Sequence, residues 1–142
     1  MNLTTLRSTT DDKLAGGIRL MLGLIFLMTG PMKVLVPSLA EAWAGQLVAA
    51  QIPFAELSRV TVPFVELLLG IVLAVGIFVR PAAFFVINIM LVATYVHVVV
   101  DDPSLFPLQP EQPLIPIMVM IGSFYLLWRG GGAWSRDLKI TP

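Results

Sequence analysis

Side chains with acid–base or charge chemistry fall inside or beside apolar segments of this chain, and their spacing sorts them into two groups. Glu66 interrupts an apolar run of membrane length. A carboxylate there is costly and faces a protein interior or a water-filled cavity, where it meets a partner. Lys33, at the far end of an earlier apolar run, can neutralise it, and His97, with an ordinary pKa of about 6.5, can share a proton with a carboxylate. With a helical rise of about 1.5 Å per residue, Glu66 lies about 8 Å and His97 about 6 Å inside one boundary, with Lys33 close to it. Glu111 and the Asp101–Asp102 pair lie just above them in a connecting loop. Lys33, Glu66, His97 and Glu111 therefore form a candidate outer cluster suited to proton transfer or to recognition of a polar headgroup. The alternative is a structural ion pair between Lys33 and Glu66 that sets helix register.

Arg19 belongs elsewhere. It lies about 9 Å inside the opposite boundary, too far from Glu66 in a regular bundle. Its candidate partners are Asp137 of the C-terminal tail folding back, Asn88, or a lipid phosphate, with snorkelling to the headgroups as the alternative. Asn88 and His97 are half a turn out of phase on an ideal helix and cannot share one cavity unless that span is distorted. With one histidine and scattered acids, the ligand count argues against a dedicated metal site.

The elements that position these groups must cross a membrane. Of 142 residues, 57% are hydrophobic and 13% charged, and the mean hydropathy of +0.88 lies outside the range of soluble domains. The length fits a single membrane domain of about four spans, 1–142, because each span needs roughly 20 residues. Zero formal charge with no basic block leaves no electrostatic footprint for nucleic acid. The absence of cysteine removes disulfide, thiolate-metal and iron–sulfur chemistry from this chain, so any redox role needs a bound cofactor or a partner.

The spans read as 14–36, 60–78, 81–100 and 114–129. The first has no cleavage pattern after it and is expected to stay as an anchor. Arg19, Gly23, Phe26, Gly30 and Lys33 form one stripe on it, and Glu66, Gly70, Leu73, Ile77 and Arg80 repeat the same spacing on the second. Small and charged residues on a common face indicate a packed interior face. Ser38 and Glu41 have capping-box spacing and Leu39, Trp43 and Leu47 share a face, so 38–51 reads as a short interfacial helix anchored by Trp43. The connection at Val79–Arg80 is so short that spans two and three should be antiparallel neighbours. Prolines 103, 107, 110, 113 and 116 make 101–116 a semi-rigid outer cover. Arg7, Lys13, Arg80, Arg129, Arg136 and Lys139 collect on the side of the termini, which predicts cytoplasmic termini.

The whole pattern resembles the DoxX family of small bacterial and archaeal membrane proteins. The matching pieces are Arg19 to Phe26 followed by Gly30 and Lys33, Ile52–Pro53, Val65–Glu66–Leu67 with Gly70, Gly76 with Arg80, His97, Glu111, and the ending Gly132 to Asp137. The resemblance implies an all-α, integral membrane four-helix bundle in the cytoplasmic membrane, with relatives that include the DoxD-like subunit of thiosulfate:quinone oxidoreductase. It makes the first expectation a membrane subunit of an oxidoreductase or stress-response assembly, with a quinone or lipid headgroup at the outer cluster and another subunit or a second copy as partner. No intrinsic cofactor motif points to an autonomous enzyme. The alternatives are a small transporter or channel for a proton or small solute, and a structural scaffold built on the glycine stripes.

Overall fold

The computed structural model describes residues 3–100 and 113–140, with side chains from Thr5 onward. Every regular element among them is a helix: α1 Leu3–Arg7, α2 Lys13–Leu35, α3 Pro37–Ala49, α4 Ala55–Val75, α5 Val79–Val99, α6 Leu114–Arg129 and α7 Arg136–Ile140. By length and composition α2, α4 and α5 can cross a membrane; α6 is a shorter apolar helix of 16 residues. Their outward faces carry exposed Leu, Phe, Met and Val side chains such as Leu24, Leu68, Phe85 and Met118, the distribution expected where the surrounding solvent is lipid.

Glycine decides how closely the first two long helices approach. A Cβ on Gly30 would lie 2.7 Å from the Pro63 carbonyl oxygen, one on Gly70 2.8 Å from the Leu27 amide nitrogen, and one on Gly23 3.0 Å from the Ala74 nitrogen. The two stripes read from the sequence thus face each other backbone to backbone, as small-residue membrane interfaces do. Leu22, Phe26, Leu69 and Leu73 continue this seam into a core closed by Val79, Ala83 and Val86 of α5 and Val119 and Leu126 of α6.

The pairing of helices departs from the sequence expectation. α2 packs chiefly on α4 and α5 chiefly on α6, while α4 and α5, although consecutive, touch much less. The break between them also lies earlier than Val79–Arg80. α4 ends at Val75, Gly76 (φ 73°) and Phe78 (φ 51°) adopt left-handed conformations, and Arg80 belongs to the first turn of α5. Ile77 and Arg80 therefore leave the α4 stripe. At its other end α4 starts at Ala55 rather than near residue 60 and runs through Pro63, which is buried where Gly30 makes room for the backbone.

One further expectation changes. The Ser38–Glu41 capping box does not form, because Pro37 occupies the first turn of α3 and Val36 is its cap. Glu111 and most of the proline-rich segment lie outside the described residues.

Candidate functional site

At the end of the molecule opposite the termini, α2, α3, α4, α5 and α6 surround a cavity of 420 Å³. α2 contributes Phe26, Thr29 and Lys33, α3 contributes Trp43, Gln46 and Leu47, α4 contributes Val62 and Glu66, and α6 contributes Ile115, Pro116 and Val119. Along α5 the wall takes in Asn88 through Met90, Val92, Ala93, Val96 and His97, more than one face of that helix. Asn88 and His97 thus border the same cavity despite their phase difference. The walls are mainly apolar with a few polar groups, the usual make-up of a small-molecule site.

The Lys33 ammonium donates to both oxygens of Glu66, at 2.6 and 2.7 Å. The Glu66 side chain is 4% exposed and that of Lys33 13%, so the contact is largely out of water rather than a surface pair. The Thr29 hydroxyl approaches the second carboxylate oxygen at 3.4 Å. Lys33 Nζ also lies 5.3 Å from the centroid of the Trp43 ring, placing the ammonium between a carboxylate and an indole face. Trp43, expected as an interfacial anchor, thus borders the cavity.

His97 is half-buried on the cavity wall and its Nδ1 lies 2.7 Å from the Ala93 carbonyl oxygen. A carbonyl only accepts, so Nδ1 carries the hydrogen and Nε2 is the nitrogen able to take a proton. Asn88 donates to the Phe84 carbonyl of its own helix at 2.8 Å, which leaves its amide oxygen as an acceptor and separates it from the Arg19 group with which the sequence placed it. Gln46 is the polar wall residue the sequence reading passed over. It is 7% exposed, and its signal was available: it follows Trp43 by three positions, on the α3 stripe otherwise built from Leu39 and Leu47.

The termini end is organised differently. Arg19 is buried and its guanidinium donates to Gly131 O (2.9 Å), Leu73 O (2.5 Å), Ala74 O (2.8 Å) and Ala133 O (3.4 Å). It joins the last turn of α4, where the helix dipole favours a cation, to the Gly131–Ala133 tail. The tail does fold back, and Asp137, near enough for its charge to act on Arg19, also serves another helix: its two carboxylate oxygens accept from the Phe78 and Val79 amides, 3.1 Å each, at the first turn of α5. Asp137 N in turn donates to Gly76 O at 2.9 Å. Arg80 donates to Ser8 O and Trp128 O, both at 2.8 Å.

Asp12 completes this end by capping α2 through the Leu14 and Ala15 amides and accepting from the Tyr125 hydroxyl (2.9 Å) and Arg129 Nε (3.0 Å). The Ala15 amide, then the Tyr125 hydroxyl and Arg129, hold its carboxyl below the ordinary value of 3.8 against an opposing effect of burial.

The model of the family described as DoxX matches residues 15–99, a range that contains Arg19, Lys33, Gln46, Glu66 and His97. No curated protein and no solved structure gives a significant match.

Proposed function

The chain belongs to the DoxX family, and from that premise we propose that it is a membrane subunit of an oxidoreductase or stress-response assembly whose cavity receives the polar head of a quinone or lipid beside Glu66. The observation that carries this reading is the Lys33–Glu66 pair on the wall of a 420 Å³ cavity. A pair serving packing alone gains nothing from an adjoining void, since each missing contact costs dispersion energy.

The chemistry follows from the groups present. Lys33 balances Glu66, His97 Nε2 is placed to exchange a proton, and the apolar walls hold the remainder of a membrane-soluble molecule. Electron transfer, if the assembly performs it, belongs to a cofactor on a partner subunit. Arg7, Arg80 and Arg129 at the termini end support an orientation in the cytoplasmic membrane with both termini inside, so the cavity opens toward the other face and α3 lies in the interface there. The hydrogen-bonded closure at Arg19 favours a one-sided site over a continuous solute path, which counts against a channel.

The test is direct binding of a quinone analogue to the purified chain in lipid nanodiscs. Glu66→Gln is expected to abolish saturable binding, and undiminished binding by that variant would overturn the role given to Glu66.

A further inference from the structure

Gln46 stands out because the residue is 7% exposed and its side-chain amide, which borders the cavity, forms no hydrogen bond with any described residue. An amide held in a mainly apolar wall and left without a protein partner offers its hydrogen bonds to whatever occupies the cavity. Its neighbours define what that partner can be. Lys33 spends two of its three N–H bonds on Glu66 and turns toward the Trp43 ring, so its charge is already matched and its donors are largely used. An anion brought to Lys33 would have to displace Glu66 or remain beside its negative charge in a poorly solvated space. His97 has Nδ1 engaged with the Ala93 carbonyl, which leaves Nε2 as its other polar atom.

We propose that Gln46 is the headgroup-recognition residue of this cavity and that its ligand is an uncharged amphiphile with a carbonyl or hydroxyl head, rather than an anionic phospholipid or other phosphate. The inference rests on the reading of the cavity as a ligand site and narrows it: the Lys33–Glu66 pair sets the electrostatic neutrality of the site, and Gln46 supplies its directional hydrogen bond. The amide can donate to a carbonyl and accept from a hydroxyl, so both heads fall in one class.

The experiment uses the full chain in detergent–zwitterionic lipid micelles, with Trp128→Phe and Trp134→Phe so that Trp43 is the one tryptophan left. Decylbenzoquinone, an uncharged carbonyl-headed probe, is titrated while Trp43 quenching is followed, and decyl phosphate is added as a competitor. Saturable quenching, at least tenfold weaker binding in Gln46→Met, an intermediate loss in Gln46→Asn and no displacement by excess decyl phosphate are the expected results. Displacement by decyl phosphate at equal concentration would overturn the uncharged class while leaving a ligand site in place. Unchanged affinity in both Gln46 variants, each with an unaltered melting temperature, would remove Gln46 from recognition. If neither probe binds saturably, the ligand-site reading falls together with this one.

Discussion

Arg19 and Lys33 stand on the same face of α2, both shielded from water, and they are satisfied in opposite ways. Arg19 spreads a planar fork over four backbone carbonyls from two chain segments. Lys33 concentrates its charge on one carboxylate, with an indole on the other side and a cavity alongside. Guanidinium is suited to fixing several acceptors at once, whereas a lysine ammonium is a compact point charge on a flexible stem. A buried charge bonded to backbone holds elements together; a buried charge bonded to a second titratable group beside open space is available for chemistry. The lesson is that burial alone does not mark a functional site, and the kind of partner does.

The sharpest way to break this contrast is to remove Arg19. Arg19→Ala removes the side-chain donor from carbonyls at the end of α4 and in the tail, and should cost at least about 4 kcal/mol, read as loss of folded protein in detergent. A stability within about 1 kcal/mol of the parent would show that the termini end is not held by this residue. Glu66→Gln comes next, with about 3 kcal/mol expected because Lys33 keeps its charge without the carboxylate. The double substitution Lys33→Met with Glu66→Leu should regain most of that stability and still bind no quinone analogue. Retained binding in the double variant would reduce the pair to a structural role and erase the distinction from Arg19.

Smaller effects sharpen the geometry between the two ends. Gly30→Ala drives a methyl group against the Pro63 carbonyl and Glu66 Cβ, so we expect a loss of about 1–3 kcal/mol together with weaker ligand binding. Gly17 has nothing within 4 Å of an added Cβ, and Gly17→Ala should be neutral or stabilise by about 0.5–1 kcal/mol. Equal melting temperatures for the two variants would contradict the close approach of α2 and α4. The smallest effect concerns pH. Because the folded-state pKa of Asp12 is depressed, its contribution is fully present above 3.8 and is lost as pH falls below that value through the folded pKa. Asp12→Asn should flatten the acid limb of the stability profile measured between about pH 5 and 2.

The parts of this arrangement legible in the sequence were those carried by helical periodicity. The spacing of Arg19, Gly23, Phe26, Gly30 and Lys33, met by Glu66, Gly70 and Leu73, was enough to place two faces against each other and to pair Lys33 with Glu66. What could not be read depended on contacts distant in the chain. The left-handed Phe78 is fixed by a carboxylate at Asp137, and the start of α4 depends on Pro63 finding space beside Gly30. Gln46 was missed because a glutamine on a short helix is usually solvated, and only the packing around it shows otherwise.

The clasp formed by Gly131, Ala133 and Asp137 has a consequence for the order of assembly. Chains are synthesised from the N-terminus, so α2, α4 and α5 are in place before these residues emerge. Until then Arg19 has only the α4 carbonyls, and the α5 amides of Phe78 and Val79 await their acceptor. This segment, made after the helices it joins, therefore acts as the latch of the fold, and a ribosome that stops short of it leaves a bundle whose helices have entered the bilayer but whose Arg19 end has not closed.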